Sequence, residues 1–449
     1  MSVSAAPLPP RSAKTPKEIP RGFRWNFSCL AVHTIVFRIG WVFKTETVLA
    51  PAFLETLGAS AFVRGLLPLL QRLCISGPQI VSAHAAARLP RLKWAYGSLC
   101  IAMAVPWLAI AGMWRLGGPP GLNSPAARGM IVAFLALYSL FWMFLGAMQL
   151  FGGAALGKLI PADFRGRLLA ASSGTGATAA ILVVLALLPR WLKGEGGAPR
   201  YDWVFGAAGS LLALSGALLF FLSEAAASPS AARSRLRDFA RGSLGLLLRD
   251  RNFALLAAAS SLYLGLRALF PHFTVFGIQR LGLASDSLVS QVVAQNAVQA
   301  GAALLFGPLA DRYGNRIVLR TLMGIGGLTP LMALGLAFLP GGIGAKVYWL
   351  VFACLGFYAI MERITCNYLL ECVALERQAQ YLGALMTVQI VPMLASPALG
   401  WMIDRFSYEA VFLLGSGAIL LGVLLTFGLI EPRRRRPEDS RPELEETPE

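Results

Sequence analysis

Charge is scarce in this 449-residue chain: Asp, Glu, Lys and Arg supply 14% of it, against about 25% in an ordinary soluble domain. So few charges cannot cover a water-facing surface of this size. Histidine is scarcer still, with three residues, and there are six cysteines. His33, His84 and His272 stand far apart, and Cys29, Cys74, Cys100, Cys354, Cys366 and Cys372 contain no pair at ligand spacing, so no metal site is expected. Free thiols and helix-packing histidines are the expectation. No paired Asp motif of the kind used by polytopic lipid-processing enzymes occurs, which argues against an enzyme. A nucleotide-binding domain is also missing. Gly152 to Leu159 reads GGAALGKL but lacks the Ser or Thr that ligates magnesium, and it closes an apolar run. Gly153 and Gly157 are read as helix close-packing residues instead. No cofactor is implied.

What the chain has in excess is apolar length. Hydrophobic residues make up 56%, in runs of about 20 to 30 residues separated by short Gly-, Pro- and Arg-marked breaks, long enough to cross a hydrocarbon layer. The runs carry no strand alternation, so helices must satisfy the backbone within lipid. Twelve spans are expected, near 26–50, 63–87, 92–114, 128–157, 166–189, 201–222, 252–279, 288–310, 317–339, 346–372, 380–403 and 408–430. This divides the chain into an N-terminal segment (1–25), a six-helix bundle (26–222), a basic interfacial linker (223–251), a second bundle (252–430) and a disordered acidic and Pro-rich tail (431–449). The basic stretch before the first run resembles a secretory signal, but the run is too long and contains Arg38, Lys44 and Glu46.

The net charge of +17 sits at helix ends and has no soluble recognition module, so nucleic-acid binding is not expected. Of the 40 Lys and Arg residues, 26 fall on the side of the two termini, 9 in the opposite loops and 5 within spans. By the bias of basic loops, both termini are expected in the cytoplasm and the protein in the plasma membrane.

Gly307-Pro308-Leu309-Ala310-Asp311-Arg312-Tyr313-Gly314-Asn315-Arg316, at the end of span eight, resembles the loop signature of the major facilitator superfamily. Gly307 would let helices approach, Gly314 would permit the tight turn, and Asp311 would meet a helix N-terminus or an Arg when that side closes. Arg312 and Arg316 supply the basic flank. The first-half counterpart, Arg88 to Lys93, keeps the basic charge without the Asp or Gly, so a symmetric gate is not expected. Phe164 to Arg167 and Gly400 to Arg405 also look like the family. The resemblance implies an all-α membrane protein of twelve transmembrane helices in two pseudo-symmetric bundles, a site near mid-membrane, and rocking between two open states. Gly166, Gly174 and Gly176 lack the Gly-Pro and Gly-Gly pairs of the family's drug antiporters.

A charge at bilayer depth costs about 2.5 to 3.5 kcal/mol, so it is kept where it faces a cavity or a partner. Arg38, Lys44, Arg72, Arg267 and Arg363 lie within spans, against Glu46 and Glu362, with Glu371 nearer the end of span ten. An anionic substrate would supply the missing charge. Arg38 in span one and Arg267 in span seven occupy corresponding helices, each preceded by an Asn-Phe pair (Asn26-Phe27 and Asn252-Phe253). The pairing is similar to the superfamily's phosphate and organophosphate antiporters, in which one Arg from each half clamps the phosphate. The alternative is a structural ion pair with Glu46 or Glu362. Gln149, Arg363 and Asn367 are further substrate-binding candidates, and Glu46 and Glu362 are candidates for coupling to an ion such as a proton. Gln291, Gln295 and Gln299 share one face of span eight beside Asn296, either bonding to neighbouring helices or lining a hydrated path. The expected function is a monomeric secondary transporter of a small solute. A transporter-like sensor or lipid flippase is the alternative class.

Overall fold

The computed structural model describes residues 22–194, 198–226, 247, 249–374 and 377–431. Most of the N-terminal segment, the central linker and the tail, with the expectations attached to them, lie outside the described residues. Ten helices there are long and apolar enough to cross a membrane, from Leu92–Gly117 to Tyr408–Gly428. The remaining two crossings carry several charged residues. Span one is Phe23–Val42 continued by Leu49–Thr56, and span two is Ala61–Arg88. Between them they hold Arg38, Lys44, Glu46, Arg64 and Arg72. Spans three to six are Leu92–Gly117, Pro125–Leu159, Ala162–Lys193 and Tyr201–Leu218; spans seven to nine are Arg251–Leu281, Ser287–Tyr313 and Asn315–Ala337.

Span one is not continuous, contrary to expectation. Residues 43–48 separate its two helices. Spans ten (through Ile343–Val347, Trp349–Gly356 and Tyr358–Cys372) and eleven (through Gln378–Val388, Val391–Leu394 and Ser396–Arg405) bend between these segments, but the joining residues keep a right-handed helical backbone, Tyr348 and Phe357 in the one and Ile390 and Ala395 in the other. In span eleven, Pro392 and Pro397 fall at the bends, where the missing N–H removes a helical donor. Span twelve is Tyr408–Leu425.

Packing repeats with an offset of six. Span three lies on four and six, two on four, and one on five and six; correspondingly, nine lies on ten and twelve, eight on ten, and seven on eleven and twelve. Two six-helix bundles therefore meet along two seams, two against eleven and five against eight. Large apolar side chains such as Leu185, Leu304 and Leu424 remain exposed on the outside, as lipid solvent permits.

The face where spans one and seven begin is here the terminal face, and its opposite the distal face. The halves are sealed at the distal face. Asp404, at the end of span eleven, accepts from the backbone N–H groups of Ala61 and Phe62, both at 2.8 Å, so one half supplies the N-terminal cap for span two of the other. Nearby, the Ser396 hydroxyl donates to the Gly65 carbonyl at 2.8 Å, and Gln279 donates to Glu55 at 2.7 Å. Buried Arg64 donates to Glu55 at 2.6 Å and to the Tyr408 hydroxyl at 3.3 Å.

At the terminal face each half is clasped upon itself. Asn26 donates to the Ser223 carbonyl at 2.9 Å and accepts from its N–H at 2.8 Å, while Asn252 accepts from the Ile430 N–H at 3.0 Å. One residue further on, Glu224 caps span three through Leu92 N–H (3.0 Å) and Lys93 N–H (2.8 Å) and pairs with Lys158 at 2.7 Å. Glu431 occupies the matching place, paired with Arg316 at 3.2 Å beside Gly314, whose φ of 89° favours glycine. Burial raises the Glu224 carboxyl, but Lys158 and the two backbone donors outweigh it and leave the group below its ordinary value. The stability this contributes is present above the ordinary glutamate range and is lost as pH falls through the depressed value. Glu224→Gln is expected to lower the melting temperature by a few degrees at pH 7, with the difference from wild type closing in acid. A pH-independent difference would show that packing, not charge, is what the substitution removes.

Candidate functional site

The break in span one places Thr45, Glu46 and Thr47 on the wall of a cavity of about 430 Å³ between the halves. Its other walls come from spans two, four, seven, eight and ten, through residues that include Gln71, Arg72, Gln149, Arg267, Gln295 and Glu362. The cavity is rich in amides and cations because each charge that enters it keeps a partner. Arg267 donates from Nη1 to Glu362 at 3.3 Å and to the Tyr358 hydroxyl at 3.5 Å, and from Nε to Gln71 at 3.3 Å. Glu362 also accepts from Tyr358 at 3.2 Å. Arg38 reaches across the interface to Gln299 at 3.0 Å, and Arg72 donates to the Met386 carbonyl at 2.8 Å. In both of these arginines the Nε is buried without an acceptor.

Lys44 is fully buried, ion-paired with Glu46 and ringed by Trp41, Phe141 and Trp142, with its Nζ 3.0 Å from the centre of the Trp41 ring. An ammonium held by a carboxylate and π faces is stable in an apolar site. This anchor holds the non-helical segment against span four, with Thr274 donating to the Thr47 carbonyl at 2.6 Å and Thr47 to Gln295 at 2.5 Å.

A cavity at the interface of two six-helix repeats is the architecture of a rocking transporter. The family model described as Major Facilitator Superfamily matches residues 30–389 and again 298–448. The chain belongs to the major facilitator superfamily. It is thus an integral membrane protein with multiple spans, in a family of secondary transporters of small solutes and not of enzymes. No curated protein matches its sequence. Among solved structures it is similar to a D-xylose-proton symporter at 15% identity, with 90% of this chain and 99% of that one covered and a TM-score of 0.66. The nucleoside transporter NupG is similar at 14% identity, 91% and 99% coverage and a TM-score of 0.63. A partially occluded inward-open form of the xylose transporter XylE from E. coli gives 14%, 92% and 100%, and 0.61.

Within this facilitator the sequence candidates separate into groups. Arg267, Gln149, Glu46 and Glu362 line the central cavity; Arg38 reaches it through Gln299. Arg38 and Arg267 each have a separate protein partner here. Arg363 and Asn367 lie one to two turns toward the terminal face, where they line an adjoining chamber and also a shallow pocket with Gly307, Asp311 and Glu371. Arg312 lies over the Tyr313 ring at 5.2 Å, and Arg316 belongs to the Glu431 clasp. Added Cβ atoms on Gly307 and Gly153 would meet open space, and one on Gly157 would meet only the tip of Arg165. The close-packing role read for Gly153 and Gly157 is therefore corrected, and Gly307 has no close neighbour in this conformation. Gly152, against the Tyr96 ring at 3.0 Å, takes that role in span four.

On span eight, Gln295 and Gln299 bond across the interface and line the cavity, whereas Gln291 is buried with neither amide atom bonded. His33 fits its packing assignment, with Nδ1 2.8 Å from the Ser215 carbonyl and Nε2 3.1 Å from the Tyr96 hydroxyl. None of the six cysteines is in a disulfide. Glu224, Glu431 and Asp404 as a cap escaped sequence reasoning. A signal existed for the first two, since Phe-x-Leu-x-Glu occurs at 220–224 and again at 427–431.

Proposed function

We propose that this transporter carries an anion across the plasma membrane by alternating access, with both termini cytoplasmic and a proton on Glu362 as the coupling ion. The single chain encloses the whole site, and a monomer is the working unit. The carrying observation is the charge balance at the cavity. Arg72 and Arg267 line it, Arg38 is bonded to the lining Gln299 and Lys44 is buried behind Glu46, against two lining carboxylates, Glu46 and Glu362, that are already paired with Lys44 and Arg267. An anion would satisfy guanidinium donors that the protein leaves unspent. If both termini are cytoplasmic, the sealed distal face makes this the inward-facing state.

Glu362 suits coupling better than Glu46. Its side chain is 54% exposed and held only by Arg267 and Tyr358, whereas Glu46 is 21% exposed and tied to Lys44 within the aromatic ring. A proton on Glu362 would release Arg267 to the substrate, so proton and anion would bind cooperatively. The proton symporter of similar fold makes the proton the natural ion to test.

The test is calorimetric titration of the protein in nanodiscs with phosphate, carboxylates, sugars and nucleosides between pH 5 and 8. Anions are expected to bind, with affinity rising up to about tenfold per unit fall in pH where one proton is taken up. Glu362→Gln should bind at all pH values with no slope and should exchange substrate without accumulating it. Binding of sugars or nucleosides with anions inert would reject the anion reading; an unchanged slope in Glu362→Gln would reject the coupling assignment.

A further inference from the structure

Arg72, Tyr358 and Glu362 line two chambers at once. Beyond the polar cavity, a second chamber of about 410 Å³ runs among spans seven, ten and eleven. Its walls include Tyr263, Leu264, Met361, Leu382, Leu385 and Met386. Tyr263, Leu264, Met361 and Leu385 are nearly inaccessible, so these walls are packed and preformed. The volume falls within the roughly 300 to 1,000 Å³ of small-molecule pockets. Ser260, Arg363, Thr365, Asn367 and Gln389 add polar groups to it, and displacement of water from the apolar remainder by hydrocarbon is favourable. A small hydrated anion seated at Arg267 would leave that surface unused.

Resting on the anion reading above, we propose that the substrate is an amphipathic organic anion, its charged group held between Arg72 and Arg267 and its hydrocarbon part in the chamber lined by Leu264, Met361, Leu385 and Met386. The two ends meet different parts of the machine. The charged group bridges the halves, because Arg72 belongs to span two and Arg267 to span seven, while every apolar wall named comes from the second half. The hydrocarbon part would therefore travel with one bundle as the halves rock, and the charged group would report their relative position.

Calorimetry of the full chain in nanodiscs with straight-chain carboxylates from acetate to hexanoate tests this, with empty nanodiscs and n-hexanol as controls. Affinity should rise about fourfold for each added methylene, and Met386→Trp, which narrows the chamber, should flatten that slope. Leu264→Asn is a second variant with the same expected effect should the first fail to fold. Equal affinity for acetate and hexanoate would overturn the proposal and leave the anion reading standing. Equal binding of hexanol and hexanoate would also overturn it, by showing apolar partition without a charged anchor. If neither carboxylates nor phosphate bind while a sugar does, the anion reading itself fails and this inference with it.

Discussion

Arg267→Gln is expected to weaken anion binding by a hundredfold or more and to abolish uptake, in protein that still inserts and elutes as a single species. Arg267 supplies the guanidinium that faces Glu362, Tyr358 and Gln71 together. Loss of one member of a hydrogen-bonded charge pair that substrate binding desolvates costs roughly 2 to 5 kcal/mol, or about 30- to several-thousandfold. Stability falls as well, because Glu362 is left without its cation. The double variant Arg267→Gln, Glu362→Gln removes the penalty and should regain melting temperature without regaining affinity. Arg267→Lys, which keeps the charge but not the fork, should fall between. Wild-type affinity in Arg267→Gln would remove this residue from the site.

Gly400→Val should reduce transport to background while leaving binding from the terminal side intact. A Cβ at Gly400 would lie 2.7 Å from the Ala61 carbonyl carbon and 2.9 Å from the Phe62 Cα, and one at Gly65 would lie 2.6 Å from the Ser396 carbonyl oxygen. The obstacles are backbone atoms on the opposing half, which cannot swing aside as a side chain can, so the distal seal cannot close. A cysteine placed at Ala61, which is buried in the seal, should then label freely from the distal side. Unimpaired transport by Gly400→Val would show that closure of this contact is not required in the cycle.

Most of the architecture was legible because lipid imposes it: apolar runs long enough to cross the membrane are conspicuous in a chain so poor in charge. The motif around Asp311 and Gly314 named the family. Span one was harder. Residues 43–48 read Phe-Lys-Thr-Glu-Thr-Val, with no Gly or Pro to announce a break, and the helix is interrupted where tertiary bonds from Thr274 and Gln295 and the aromatic ring around Lys44 hold the backbone. In span eleven the prolines were visible, and they bend the helix without splitting it. The site was half legible. That Arg267 and Glu362 carry charge at depth follows from the sequence; that they meet, while Arg38 turns to Gln299, depends on helix rotations no local pattern encodes. The role of Asp404 was hidden for the same reason, since its partners lie more than 340 residues away.

That separation has a consequence for the order in which the protein can be completed. Translation delivers Leu92 long before Glu224, 132 residues later, so the start of span three stays uncapped until the sixth span has been made. With Ser223 and Glu224 in place, the first half can close its own terminal face. Its distal face is different: Ala61 and Phe62 wait for Asp404, more than 340 residues later. From the sixth span to the eleventh, the first half is thus finished at one membrane surface and unfinished at the other, and the membrane machinery must shelter an open helix end until the eleventh span arrives.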